Sequence, residues 1–251
     1  MRYAVRSVID LHCHVLPGVD DGALDDADSV AMARVARADG ITAICATPHI
    51  RHDHDVRIAE LPGRVAALQA RLEEHAVGVR IRGGGEVAET VVDRLTDAEL
   101  RAVSLGGGGR WILLEPRPGP LSASLTATVR RLGARGFRAL IAHPERHLAD
   151  DLFARLAQAI EAGALVQATA AHVEHGPAAE GMAELARRGL VHVVASDAHS
   201  SHGGRPVTLS GALARLAAIE PLAAHLDWVA RGAAEAITAG REVQAPYAPS
   251  A

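Results

Sequence analysis

Short apolar runs alternate with amphipathic stretches along this chain. Seven of the runs read as strands, at 8–12, 42–46, 79–83, 111–115, 138–142, 164–168 and 191–195. They are apolar nearly throughout, as strands covered on both faces are. Between them, helical periodicity predicts helices at 25–39, 56–76, 96–104, 121–135, 151–161 and 178–187, with two more near 208–217 and 221–232. Strand and helix alternate, so the fold class is α/β, a parallel sheet with helical crossovers. Several helices open after Asp, Ser or Thr, as at Asp25-Asp26 and Thr96-Asp97. Gly40, Gly136, Gly163 and Gly189 fall where C-terminal caps belong. No linker, low-complexity tract or charge block interrupts the rhythm. Residues 1–251 are therefore expected as one domain, with an irregular surface tail from about 245.

The apolar runs share an ending. They release His12 and His14, His49, Glu86, Glu115, His143, then Asp197 and His199. Buried parallel strands with such side chains at their C-terminal ends describe an active site on one rim of an α/β barrel. His12 and His14, two apart in a strand, point to the same side. Asp21 follows in the tight loop Gly18-Val19-Asp20-Asp21-Gly22, where Asp is also ordinary turn chemistry. Any one of these residues has a bland explanation as a hydrogen-bonding or capping group. Nine of them on one rim do not, and the opposite strand ends carry mostly Gly, Arg, Ala and Leu.

Nitrogen and oxygen ligands without thiolate suit manganese, iron or zinc. Nine are too many for one ion; two or three ions sharing carboxylates fit, and a multi-ion site points to phosphoester hydrolysis. Arg146 and Arg205 follow His143 and His199 and offer forked donors for phosphate oxygens. The commoner fate of an arginine is a surface ion pair, and Glu145 is a ready partner for either.

Composition narrows the picture. A net charge of −4 gives no basic face for nucleic acid. No apolar run reaches the length of a membrane span, and no signal peptide is visible. Cys13 and Cys45 each sit inside an apolar run, which predicts reduced, buried thiols and a cytoplasmic protein. Cys45 and Arg51 have the C-x5-R spacing of cysteine-dependent phosphatases. That chemistry needs a cradle of backbone N–H groups and an activated thiolate. Pro48 removes one N–H, no glycine eases the curl, and the thiol lies within a strand, so the spacing reads as a decoy. Gly106–Gly109 precedes a strand instead of opening a helix and reads as a flexible loop. His172, His175 and His202 read as surface residues near the cleft.

The stretches IDLHCHVLPGVDDGA at 9–23, ATPH at 46–49, GGE at 84–86, LLEP at 113–116, AHPER at 142–146 and SDAH at 196–199 occur in a fixed order over nearly the whole chain. Together they resemble the polymerase-and-histidinol-phosphatase (PHP) superfamily of metal-dependent phosphoesterases, and within it the bacterial capsular-polysaccharide tyrosine phosphatases. The resemblance implies a distorted (β/α)7, TIM-like barrel, the PHP fold, holding three divalent ions, manganese or iron first and zinc as a further option. It assigns His12, His14, Glu86 and Asp197 to the first ion, and Glu86, Glu115 and His143 to the second. Asp21, His49 and His199 go to the third, and Arg146 and Arg205 to the substrate phosphate.

The implied activity is protein-tyrosine phosphatase: a metal-bridging hydroxide attacks phosphorus in line. The implied partner is a phosphorylated protein or peptide, such as the tyrosine-bearing tail of a kinase, with phosphate or sulfate as a small ligand. A small-molecule phosphatase of the histidinol-phosphate or nucleotide type ranks second, because its ligand sets usually carry more histidine at the positions of Asp21 and Glu115. A non-catalytic metal-binding regulatory module ranks last, because the ligand set is complete. Three departures from the family pattern stand out. The loop Ile50-Arg51-His52-Asp53-His54-Asp55 has no aromatic residue, the segment His199–Arg205 is one residue longer than usual, and the sixth strand ends Gln167-Ala168-Thr169, where no ligand is expected.

Overall fold

The computed structural model describes residues 8–250, and in it the apolar runs become parallel strands. These are β1 (Val8–Cys13), β2 (Ile41–Ala46), β3 (His49–Ile50), β4 (Arg80–Arg82), β5 (Glu86–Ala88), β6 (Trp111–Glu115), β7 (Arg138–Ile141), β8 (Leu165–Thr169) and β9 (Val193–Ala195). One sheet runs β1-β2-β4 and the other β3-β5-β6-β7-β8-β9. The strand expected at 79–83 forms as β4, and an unexpected piece, β5, continues the same barrel position after Gly83-Gly84-Gly85. Likewise β2 and β3 are one barrel position interrupted at Thr47-Pro48. Counted this way the barrel has seven positions. It closes where Asp197 N–H donates to the His12 carbonyl at 2.8 Å and His14 N–H to that of Ala198 at 2.9 Å. The expected (β/α)7 barrel forms. Residues 1–7 and 251, which the one-domain expectation includes, lie outside the described residues.

Two apolar layers hold the barrel. Ile9, Leu11, Cys45, Leu113, Leu140 and Val193 fill its interior, with Ala233, Ala234 and Ile237 beneath. Alternate strand residues such as Ile44, Ile112, Leu114 and Val166 face the helices outside. The helices are α1 (Asp26–Asp39), α2 (Leu61–Glu74), α3 (Asp97–Ala102), α4 (Ala123–Ala134), α5 (Leu152–Glu161), α6 (Ala170–Glu174), α7 (Ala179–Arg187), α8 (Ser210–Leu216) and α9 (Ala233–Thr238). Side-chain caps start three of them, α1, α3 and α4, at Asp25, Thr96 and Ser122. Asp25 accepts from Asp28 N–H at the start of α1, and Gly40, at φ 97°, closes its end.

Three expectations change here. The helix expected at 56–76 begins as a 3₁₀ turn over Ile58–Glu60 and becomes α2 only at Leu61. The one expected at 221–232 is a 3₁₀ turn at Ala223–His225 and a π turn at Trp228–Gly232, with regular helix starting at Ala233. The wide turn accommodates Trp228, whose Cδ1 would lie 3.3 Å from a Cβ at Gly232. Finally, Gly106–Gly109 is a packed crossing, not a flexible loop: a Cβ at Gly106 would lie 2.5 Å from Thr238 Cβ, and one at Gly108 2.5 Å from Gly240 N. Those glycines let two backbone segments touch.

Candidate metal centre

The rim is assembled by strand ends that bend. Leu11 packs into the barrel interior, yet its neighbour His12 also reaches an interior residue, Gln167. Successive residues share a face only if the strand bulges, and the β1–β2 register shifts between Asp10 and Cys13. His143 (φ 37°) and Asp197 (φ 51°) adopt left-handed backbone, unusual away from glycine, and thereby turn their side chains over the barrel mouth. Gly22 lets the loop 18–22 close on His14; a Cβ there would lie 2.2 Å from the His14 carbonyl oxygen.

All nine residues singled out from the sequence meet at this mouth. His12 Nε2 lies 3.2 Å from His14 Nε2, 3.4 Å from Glu86 Oε2 and 3.3 Å from Asp197 Oδ1. His14, Asp21, His49 and His199 form a second cluster with donor atoms within 4.8 Å of one another; His49, Glu86 and Glu115 form a third. His143 Nε2 lies 2.7 Å from the other Glu86 oxygen, Oε1. The clusters share His14, His49 and Glu86, so they are one contiguous site. The structure places His49 beside Glu86 and Glu115, where the resemblance implied His143 alone, and adds His14 to the third group.

Glu86 Oε2 and Asp197 Oδ1 are buried and accept no hydrogen bond. Glu86 Oε2 nevertheless has His49 Nδ1 at 2.9 Å and His14 Nε2 at 3.3 Å. Donors thus converge on shared points without satisfying each other, and such buried charges are costly unless a cation joins them. Their proton affinities express the same demand. Burial opposes charge on both imidazoles, but Glu86 and Asp197 outweigh it at His12, and Asp20 with Glu86 raises His14 to about 10. Glu115 is pushed up by burial and by the Glu86 charge beside it. Divalent cations supply the positive charge these carboxylates draw from protons, so the residues fit a metal cluster.

Several supporting residues were not singled out from the sequence. Asp20, not Asp21, holds His14: its Oδ2 lies 2.7 Å from Nδ1 and accepts the His49 N–H at 2.9 Å. Gln167 Oε1 holds His12 Nδ1 at 3.0 Å. Both leave Nε2 facing the cluster, as an oriented metal-type histidine requires. Asp10, buried and raised to about 6 by that burial, accepts from His12 N–H, Ser196 N–H and Ser196 Oγ, and so pins β1 to the Asp197 segment. Asp28, at the start of α1, accepts from Leu24 N–H, Ser200 Oγ and Ser201 N–H. It ties the loop bearing Asp21 to the loop bearing His199 and Arg205.

The arginines converge on Asp197. Arg146 donates to its Oδ2 at 2.7 Å; Arg205 donates to its carbonyl at 2.7 Å and lies 3.1 Å from Oδ2. Glu145 is no partner to either, which corrects that expectation. It is buried, and neither of its oxygens is hydrogen bonded. Arg51, in the loop after His49, donates through one nitrogen to Glu115 at 3.1 Å and grips Asp53 with two others. Cys45 is fully buried and its thiol is pushed up to about 12 by that burial, the opposite of an activated nucleophile. His172 is half-buried and held below its usual range by burial and by Arg205 and Arg146, whereas His175 and His202 are exposed. No helix among the described residues is long and apolar enough to cross a membrane.

Comparison with known proteins bears on what such a site does. The family model for capsular polysaccharide synthesis, CpsB/CapC, matches residues 8–218. Tyrosine-protein phosphatase YwqE of Bacillus subtilis (strain 168) is 33% identical over 207 residues, which cover 77% of this chain and 78% of that protein. The putative tyrosine-protein phosphatase CapC of Staphylococcus aureus is 27% identical over 207 residues, 77% of each. Among solved structures, the fold superposes with a TM-score of 0.80 and 28% identity on a chain from the crystal structures of YwqE from Bacillus subtilis and CpsB from Streptococcus pneumoniae, metal-dependent tyrosine phosphatases. That match covers 97% of this chain and 99% of the other.

Proposed function

This chain belongs to the CpsB/CapC family of capsular polysaccharide synthesis, and we propose that it is a metal-dependent protein-tyrosine phosphatase. The observation that carries the reading is the convergence of four imidazoles, His12, His14, His49 and His143, on one buried carboxylate, Glu86. Three divalent ions, manganese or iron before zinc, are assigned to the shared cluster. By the family pattern His12, His14, Glu86 and Asp197 would hold the first, Glu86, Glu115 and His143 the second, and Asp21, His49 and His199 the third, with His14 also within reach of the third group and His49 of Glu86 and Glu115. When bound, the ions supply Lewis acidity and water deprotonated near neutral pH.

The chain's own residues do the remaining work. Asp20 and Gln167 keep His14 and His12 in the orientation that presents Nε2. Arg146 and Arg205, already ordered against Asp197, extend forked donors toward phosphate oxygens and stabilise charge as the phosphoryl group transfers. Tyrosinate leaves with a pKa near ~10, so the site needs no strong acid beside the leaving oxygen. The substrate is a phosphorylated protein segment, the tail of a tyrosine kinase being the partner this reading favours. The test strips the protein with chelator and restores manganese, iron or zinc. Turnover of a phosphotyrosine peptide is then compared with that of histidinol phosphate and a nucleotide. Metal-restored hydrolysis that favours the peptide is expected. No phosphoester hydrolysis with metal bound would overturn the reading.

A further inference from the structure

Two hollows flank Arg51. One, about 230 Å³, is bounded by Glu115, Pro116, Pro118 and Arg51 itself and so opens directly beside the metal-type cluster. The other, about 660 Å³, is lined by Ile50, Val56, Ile58, Val91 and Leu95, with Arg51, Arg57 and Arg94 among its walls. Arg51 and His52 line both, so the larger groove continues the site outward along the loop after His49.

The charges around the groove are not balanced within the chain. Asp93 is paired with Arg131 at 3.0 Å and Asp97 with Arg135 at 2.8 Å; Glu99, a carboxylate of the groove wall, is turned back onto the Thr96 N–H and hydroxyl at 2.8 and 2.7 Å and keeps its charge, which leaves one carboxylate in the wall against Arg51, Arg57 and Arg94. Arg94 has no carboxylate partner among the described residues. Arg57, with its side chain 71% exposed, shares Glu60 with Arg64 at 3.4 and 3.6 Å. An apolar floor with two under-compensated guanidiniums fits an extended segment carrying apolar and acidic side chains.

We infer that this groove is the substrate-docking surface of the phosphatase and takes the acidic, apolar residues flanking the phosphotyrosine. The inference rests on the functional reading above and names its specificity. Arg51, clamped by Asp53 and reaching Glu115, sets the junction between the reacting phosphate and the flanking chain. The test uses the metal-loaded protein and two phosphotyrosine peptides that differ only in flanking Asp/Glu against flanking Lys. Wild type should favour the acidic peptide in kcat/KM by roughly tenfold, the worth of two exposed ion pairs, and should lose that preference in high salt. In the charge-reversed double variant R57E/R94E the preference should invert, and in R57A/R94A it should fall toward one. Equal use of both peptides by wild type, or an unchanged ratio in the folded double variants, would overturn the inference while leaving the phosphatase reading intact. Hydrolysis of neither peptide would overturn the phosphatase reading and this inference with it.

Discussion

The two ends of the barrel strands are made from the same chain segments and obey opposite rules. Toward their beginnings the strands present Ile9, Trp111, Leu140, Leu165 and Val193, all 5% exposed or less and part of one apolar cluster with Ala233, Ala234 and Ile237 of α9. A few residues later they present imidazoles and carboxylates that are buried as deeply, with His12 at 0% and Glu86 at 1%. The apolar end gains stability from burial. The rim end gives it up by holding unsatisfied charges together, which is tolerable only where a ligand completes them. Within one strand, therefore, burial marks structure at one end and a binding site at the other. Cys45 and His49, four residues apart, fall on either side of that line.

Changing Glu86 should break this contrast most severely. Glu86→Gln keeps the shape of the residue that His12, His14, His49 and His143 surround but removes the charge that joins the clusters. Turnover of a phosphotyrosine peptide should fall on the order of 10³-fold, with metal lost on dialysis and the circular-dichroism spectrum unchanged. Asp28→Asn probes the tie between the two ligand-bearing loops. An amide offers one acceptor oxygen to three donors, so the loops bearing Asp21 and His199 should loosen together. Metal affinity should weaken by roughly 10–100-fold with little change in melting temperature. A wild-type titration in that variant would remove Asp28 from the account.

At the opposite end, His192 tests the structural rule. Its Nδ1 accepts the Val166 N–H at 3.1 Å, its ring stacks on Tyr247, and burial holds it down to about 3. The unfolded chain binds a proton near the ordinary 6.5, so the stability from neutral His192 is complete above that pH and is lost as pH falls from there toward 3. By pH 5 the loss amounts to about 2 kcal/mol. His192→Asn, which keeps an acceptor for Val166, should lose about that much less between pH 7 and pH 5 in urea unfolding, with turnover unaffected. Equal acid sensitivity would contradict it. The smallest effect belongs to Cys45→Ser: turnover should stay within about twofold of wild type, and chelation should abolish it in both, as a metal route requires.

The barrel was legible because its strands are apolar runs punctuated by caps, and the rim because its ligands stand at strand ends where core residues are otherwise expected. Strands β3 and β5 escaped notice because two or three residues carry no period. The π turn at Trp228–Gly232 kept a helix-like pattern, and only packing against the ring shows its true pitch. Asp20, Gln167, Asp10 and Asp28 were hidden for another reason. In sequence they look like turn formers, caps and strand residues, and their role depends on partners as far away as Asp10 is from Ser196. Arg51 seemed half of a decoy phosphatase spacing, and the structure instead sets it at the junction of the rim and a groove.

The most direct test of the shared cluster is a metal titration of the stripped protein, following bound ion per chain by mass spectrometry and phosphotyrosine turnover in the same samples. The three proposed ions, joined through Glu86 in clusters that overlap at His14 and His49, predict that turnover rises only as occupancy approaches three per chain. Full turnover at one ion per chain, or turnover that does not depend on metal, would contradict the account.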